Sequence, residues 1–134
     1  MTAFIRRVCA GYEHNLVLLP PLDHKQLYPI IANARLVVLP SLFDNAPNTL
    51  LEAMGLGRPV LGTYGTSMDE FIEDGISGFL VKPGDVRALA EKINQTWDRA
   101  DLEKIGERAR DVIDCLSPEN ILPQLLNFYE SHII

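Results

Sequence analysis

Short, continuously apolar runs, separated by segments with helical periodicity, constrain the fold of this 134-residue chain more than any other feature. The runs lie at residues 15–19, 36–39, 59–62 and 78–81. Strands that are apolar without alternation are typical of a parallel sheet covered on both faces. Strands that alternate with helices are joined by right-handed crossovers. We therefore predict one α/β domain, with a Rossmann-like parallel sheet and helices on both of its faces.

The predicted helices have recognisable starts and stops. Asp23 and Asp85 each lie at a position where the side chain would cap the start of a helix. Ser67 and Glu70 have capping-box spacing at the start of a short helix, and Gly75 is predicted to end that helix. The first helix is predicted near residues 3–10. The apolar stripes predicted for the later helices are Leu27, Ile30 and Ile31; Val86, Leu89, Ala90, Ile93 and Trp97; Leu102, Ile105, Ala109, Val112 and Leu116; and Leu122, Leu125, Tyr129 and Ile133.

Charge and cysteine content exclude several classes of function. The net charge of −6 and the isoelectric point near 4.9 argue against a nucleic-acid backbone or an anionic membrane as the main partner. Cys9 and Cys115 are isolated, without metal-ligand spacing, and are interpreted as free thiols of a cytosolic protein. No apolar run approaches the roughly 20 residues that a membrane-spanning helix needs.

Two acidic residues frame the most informative segment, at residues 40–52. Asp44 follows the run at residues 36–39, and Glu52 lies eight positions later in a helix predicted to begin near Thr49. In an open parallel sheet, ligands bind outside the carboxyl ends of the strands, where a helix N-terminus offers N–H groups to an anion. This arrangement suits a nucleotide diphosphate, with the two carboxylates accepting hydrogen bonds from sugar hydroxyls.

The segment resembles the donor-binding domain of retaining GT-B glycosyltransferases of the group 1, family 4 type. Their hallmark is two acids separated by seven residues, the second opening a Glu-Ala-Met helix that ends before Gly-x-Pro-Val. Here that second acid is Glu52 in Glu-Ala-Met-Gly-Leu-Gly-Arg-Pro-Val, and the first is Asp44, where glutamate is commoner. The resemblance continues through residues 69–75, 78–81 and 83–85 into the C-terminal helices, and so covers nearly the whole chain.

The resemblance implies a role for each residue of the motif. Asp44 would contact the donor sugar as the catalytic carboxylate, and Glu52 would accept hydrogen bonds from two ribose hydroxyls. Leu22 would grip the base through its backbone. The tight turn and the helix start facing the sugar and diphosphate would be Asn45, Ala46, Pro47, Asn48, Thr49 and Leu50. No cluster has metal-ligand spacing, so neither a metal nor another cofactor is expected.

Structural alternatives stand beside these roles. Glu52 also has capping-box spacing to Thr49, and Asp44 alone would be a turn residue that bonds to its own backbone. The glycine-containing loop at residues 62–66 is interpreted as ordinary turn chemistry rather than as a ligand contact. Residue Leu22 has core packing as its alternative. The three histidines are interpreted as surface or half-buried residues: His14, His24 and His132.

As a whole, residues 1–134 are interpreted as a single partial donor-binding domain that lacks its first two strands, the phosphate-clamping Arg and Lys, and the N-terminal acceptor domain. The complete bacterial enzyme would be a cytoplasmic hexosyl- or N-acetylhexosaminyltransferase, peripheral at the inner face of the membrane. It would use a nucleotide diphosphate sugar, with UDP favoured, in polysaccharide biosynthesis such as O-antigen or capsule assembly. The fragment alone would be inactive, and its uncovered sheet edge would favour self-association.

The alternative function is a non-catalytic α/β nucleotide-binding or interaction module, and an epimerase of the same architecture is a third possibility.

Overall fold

The computed structural model describes residues 2–45 and 47–132, which form a small α/β unit. The α-helices are α1 Thr2–Val8, α2 His24–Ala32, α3 Asn48–Gly55, α4 Val86–Trp97, α5 Leu102–Asp114 and α6 Pro118–His132. The strands are β1 Val37–Val38, β2 Val60–Thr63 and β3 Phe79–Val81, and short 3-10 helices lie at Glu13–Asn15 and Ser67–Glu70. The element order agrees with the predicted alternation of strands and helices from residue 24 onward.

The three strands form one parallel sheet in the order β1-β2-β3. Val37 pairs with Val60, and Leu61 pairs in turn with Phe79. The N–H of Leu39 also donates to the carbonyl oxygen of Leu61 at 2.9 Å, so the pairing extends one residue beyond β1. The parallel sheet predicted from the apolar runs is therefore confirmed for three of the four predicted strands.

The strand predicted at residues 15–19 is wrong. A 3-10 helix covers Glu13–Asn15, and residues 16–23 have no regular secondary structure. The side chains of Val17 and Leu19 are 79% and 53% exposed. A strand is stabilised by the backbone of a neighbouring strand, and no described strand lies beside this run, so its apolar composition alone does not make it a strand.

Apolar side chains cover both faces of the sheet, as predicted. On one face, Val60 of β2 and Leu80 of β3 pack in a cluster with residues of α2 and α3. On the other face, Leu61 and Phe79 pack with residues of α4 and α5. Successive residues of a strand point to opposite faces, so each strand contributes to both clusters. The site-bearing helix α3 is therefore held against one face of the sheet by fully buried side chains: Leu50, Ala53 and Met54.

Most predicted helix ends are confirmed. Asp23 forms a capping box with Gln26 at the start of α2, and Asp85 accepts from the N–H of Ala88 in α4. Gly75 has a φ of 80°, as a stop requires. The 3-10 helix at Ser67–Glu70 is capped by Thr66, one residue before the predicted cap, Ser67. Oγ1 of Thr66 accepts a hydrogen bond from the N–H of Met68.

None of the four predicted stripes is buried along its whole length. In α4, Leu89 and Ile93 pack against the second cluster, whereas Val86 and Trp97, the first and last residues of the helix, are 77% and 51% exposed. No described residue of α6 is buried, since no described element covers that helix, and Ile133 lies outside the described residues. The α5 stripe is confirmed from Leu102 to Val112, whereas Leu116 follows the end of the helix and is exposed.

Candidate functional site

The acidic pair lies where β1 and β2 end, on the loop and helix between them. The loop from residue 41 is fixed to the end of β2, because Oγ1 of Thr63 donates to the carbonyl oxygen of Ser41 at 2.8 Å. A longer bond, of 3.4 Å, joins the N–H of Ser67 to the carbonyl oxygen of Asp44. The loop therefore sits at the carboxyl edge of the sheet, where ligands bind in open α/β folds.

Both carboxylate oxygens of Asp44 accept hydrogen bonds from neighbouring residues. Oδ2 accepts from Oγ of Ser41 at 2.9 Å, and Oδ1 accepts from the N–H of Asn45 at 2.8 Å. The side chain is half-buried. This is the local bonding that the sequence left open as the alternative for Asp44. Its contact with a donor sugar stays a prediction.

Helix α3 begins without a cap bond from the side chain of its N-cap residue. Its N-cap is Pro47, which has extended backbone angles and makes no side-chain cap bond. The N–H of Leu50 donates to the carbonyl oxygen of Pro47 at 2.9 Å, and the Leu50 side chain is fully buried in the core. The first N–H groups of the helix, those of Asn48 and Thr49, are therefore the ones that the sequence places to meet an anion.

The residues predicted around this helix start differ in their surroundings. Asn45 and Asn48 are exposed, Pro47 and Thr49 are half-buried, and Ala46 lies outside the described residues. A Pro residue has no N–H, so Pro47 cannot donate to a ligand through its backbone. The side chain of Leu50 cannot face a ligand either, since it is in the core.

Glu52 projects from α3 toward α2. Its Oε1 accepts from the hydroxyl of Tyr28 at 3.3 Å, and Nε2 of His24 lies 3.7 Å from the same oxygen. The Glu52 side chain is 20% exposed and that of His24 is 72% exposed. The capping box between Thr49 and Glu52 is not formed, because the N-cap of the helix is Pro47, two residues before Thr49. That alternative for Glu52 is wrong.

The two partners of Glu52 form a unit on α2. The rings of His24 and Tyr28, one turn apart, stack with their centroids 5.2 Å apart and their planes 9° apart. Burial, the charge of Glu52 and the hydrogen bond to Glu52 all raise the pKa of the Tyr28 phenol. The phenol therefore stays protonated near neutral pH and acts as a donor to the carboxylate.

Leu22 lies next to this unit in the chain. It is half-buried in the irregular segment before α2, and it precedes Asp23, the cap of that helix. It is two residues from His24, whose side chain reaches Glu52. The predicted base-binding residue, Leu22, is therefore close in sequence to His24 and Tyr28, the two residues that contact the predicted ribose-binding carboxylate, Glu52. A backbone contact of Leu22 with a base stays a prediction.

The loop after β2 makes the ordinary turn contacts expected of it. Oγ1 of Thr66 donates to the carbonyl oxygen of Thr63 at 2.8 Å, and the N–H of Gly65 donates to Oδ2 of Asp69 at 2.8 Å. Gly65 has a φ of 68°, which favours glycine. Beside this loop, an apolar groove of about 150 Å³ lies between Leu42 and residues 81–89.

Sequence reasoning missed the roles of Tyr28 and His24. Both lie 24 or more residues before Glu52, and no sequence spacing links positions that only the packing of α2 beside α3 brings together. His24 is exposed, as interpreted from the sequence, yet its side chain lies close to Glu52, the predicted ribose-binding carboxylate. Their separation by four residues on one helix was the available signal, because such residues share a face.

Neither a metal cluster nor a membrane span is found in residues 2–45 and 47–132. No group of three or more His, Cys, Asp and Glu side chains there is arranged to hold a metal ion. Within the same residues, no helix is both long enough and apolar enough to cross a membrane.

The comparisons with known proteins agree on one family of glycosyltransferases. The model of the family described as glycosyl transferases group 1 matches residues 2–99. A sucrose synthase of Acidithiobacillus caldus is 44% identical over 69 residues, which are 51% of this chain and 9% of that protein.

Solved structures share the fold. The sucrose-phosphate synthase of Thermosynechococcus elongatus matches with a TM-score of 0.81 and 25% identity, over 95% of this chain and 33% of that one. The Anabaena protein HepE, solved in complex with UDP, matches with a TM-score of 0.68 and 27% identity, over 76% of this chain and 29% of that one. This chain therefore spans about a third or less of the length of these relatives.

Proposed function

We propose a function from one premise: this chain belongs to the group 1 glycosyltransferase family, which matches residues 2–99. The proposal is that the chain forms the donor-binding part of an enzyme that transfers a sugar from a nucleotide diphosphate sugar. The observation that carries it is the uncapped N-terminus of α3 between Asp44 and Glu52, at the carboxyl edge of the sheet. The similarity to HepE, solved with UDP, supports a uridine nucleotide.

The geometry suggests a separate task for each group. Glu52 accepts hydrogen bonds from the ribose hydroxyls, with Leu22 at the base. The N–H groups at Asn48 and Thr49 face the diphosphate, whose departing charge a helix N-terminus stabilises. Asp44 contacts the sugar, once a ligand hydroxyl replaces one of its two local donors.

Finer features of the reaction are part of the proposal. The resemblance of the motif around Asp44 and Glu52 supports transfer with retention from a hexosyl or N-acetylhexosaminyl donor. It also supports a glycan or glycolipid acceptor in polysaccharide biosynthesis. An acceptor domain outside this chain would complete the site. A cytoplasmic location, with the complete enzyme at the inner face of the membrane, is supported by the two free thiols, Cys9 and Cys115.

We expect the 134-residue chain by itself to transfer no sugar. The described polar contacts of Asp44 and Glu52 involve no Lys or Arg, and charge-assisted contacts to phosphate are the strong ones. Arg35 and Arg58 precede β1 and β2, at the opposite edge of the sheet. Sugar release from UDP-glucose by the purified chain, at a rate abolished by Glu52→Ala, would contradict this expectation.

Nucleotide binding tests the proposal directly. Isothermal titration of the purified chain with UDP, GDP and ADP should give weak binding that Glu52→Ala removes. Glu107→Ala, at an exposed position on α5, is the matched control and should bind as the parent does. Binding of no nucleotide, or equal binding by the Glu52→Ala variant, would favour the non-catalytic interaction module instead.

A further inference from the structure

The Glu52 carboxylate is held on one side by a tertiary contact. Tyr28 comes from α2 and Glu52 from α3, and the phenol hydroxyl donates to Oε1 at 3.3 Å. Nε2 of His24 approaches the same oxygen, at 3.7 Å. Both contacts fall on Oε1, so Oε2 is the oxygen that the arrangement leaves for a ligand.

Stacking restricts the movement of the phenol itself. His24 covers one face of the Tyr28 ring, with nearly parallel planes. The cap on α2 fixes the start of the helix that carries both rings, through the reciprocal bonds of Asp23 and Gln26. A free Glu side chain has several rotatable bonds, and ordering them on binding has an entropic cost that a preformed contact removes.

We propose that Tyr28 is a positioning residue of the donor site, which holds Oε1 of Glu52 so that Oε2 faces a pair of vicinal hydroxyls on the ligand. This inference rests on the proposed function, because it takes the ribose of a nucleotide as the source of those hydroxyls. A carboxylate oxygen has two lone-pair sites, so Oε2 accepts from both hydroxyls while Oε1 remains with Tyr28. His24 stacks on one face of the phenol and lies close to the same carboxylate oxygen.

A structural role for Tyr28 makes a different prediction from a positioning role. If its hydroxyl only joined α2 to α3, its loss would weaken the binding of every nucleotide equally. If it positions Glu52, its loss weakens only ligands that have the ribose hydroxyls, and only while Glu52 is present. Tyr28→Phe removes the hydroxyl and keeps the ring and its stacking.

The test is calorimetric titration of the purified chain with UDP and with 2′,3′-dideoxyuridine diphosphate. We expect Tyr28→Phe to weaken UDP binding roughly three- to tenfold, because the released Glu52 side chain must then be ordered when the nucleotide binds. Binding of the dideoxy nucleotide should not change, and Tyr28→Phe should cause no further loss in the Glu52→Ala background. Tyr129→Phe, at an exposed position on α6, is the matched control.

The opposite results would overturn the inference. Equal weakening of both nucleotides, or the same loss with and without Glu52, would make Tyr28 a structural residue only. Thermal unfolding of each variant, followed by circular dichroism, separates a change in binding from a loss of folded protein.

A second measurement needs no nucleotide. Assigned NMR titration of the tyrosine rings should show a lower pKa for Tyr28 in Glu52→Gln than in the parent, because the substitution removes the charge that helps to raise it. If the parent chain binds no UDP, the proposed function fails for this chain, and this titration alone decides whether Tyr28 holds Glu52. An unchanged Tyr28 titration would overturn the inference.

Discussion

Gly106→Ala is predicted to destabilise the chain by moving α5 away from the end of α3. Gly106 is buried on α5 and faces the carbonyl group of Gly57, which follows α3. A Cβ atom at this position would overlap the Gly57 carbonyl oxygen and lie 3.2 Å from Cδ of Pro59. Backbone and ring atoms cannot rotate away as a flexible side chain does, so the helices themselves must separate.

The magnitude follows from two opposing terms. Replacing a helical Gly by Ala gains up to about 1 kcal/mol in helix propensity. Overpacking a well-filled interior costs about 1–3 kcal/mol, and a clash with backbone lies at the upper end. The net loss should be about 2 kcal/mol, which in a domain of this size lowers the melting temperature by roughly 6–8 °C.

Gly55→Ala is the matched control. Gly55 ends α3, and a Cβ atom there would lie 3.6 Å from Cγ2 of Ile113, an ordinary van der Waals distance. The same propensity gain without a clash should raise the melting temperature by about 1–3 °C. Thermal unfolding by circular dichroism measures both variants. Equal melting temperatures for the two would refute the close-packing argument.

Three further predictions concern charge, chemistry and assembly. In the complete enzyme, Glu52→Gln should weaken donor binding, whereas Asp44→Asn should lower turnover and leave binding of the free nucleotide nearly intact; equal loss of nucleotide binding would contradict this division. The hydrogen bond from Arg99 lowers the pKa of Asp101, so the stability that this pair contributes is present above pH 3.8 and is lost as the pH falls further. The melting temperature of Asp101→Asn should therefore lie below that of the parent at pH 7 and approach it near pH 2. Light scattering at micromolar concentration should show self-association through the edge strand Val37–Val38, and a purely monomeric chain would rule it out.

The sheet could be predicted from sequence because burial on both faces leaves a simple signal. The runs at residues 36–39, 59–62 and 78–81 are each apolar without alternation, and each overlaps a strand: Val37–Val38, Val60–Thr63 and Phe79–Val81. The run at residues 15–19 has the same signal but no strand, since its backbone has no neighbouring strand among the described residues. Composition shows that a segment can be buried, whereas pairing depends on what lies beside it.

Helix ends were predictable when one local bond determines them. Asp23 and Asp85 each accept from an N–H three residues later, and that spacing is visible in the sequence. At α3 the same type of spacing, between Thr49 and Glu52, was misleading, because the N-cap is Pro47, two residues before Thr49. Proline is compatible with a helix start, and here it takes the N-cap position without a side-chain bond.

The two carboxylates of the motif are held by different kinds of contact, and this difference separates what the sequence can reveal from what it cannot. Asp44 bonds to Ser41 and Asn45, within three residues, so its conformation belongs to the loop and changes when the loop changes. Glu52 bonds to Tyr28 across two helices, so its conformation depends on the packing of α2 beside α3. A ligand can therefore rearrange Asp44 by displacing one local donor, whereas it meets Glu52 already oriented. We therefore expect initial nucleotide binding to depend on Glu52 and the response to the sugar to depend on Asp44.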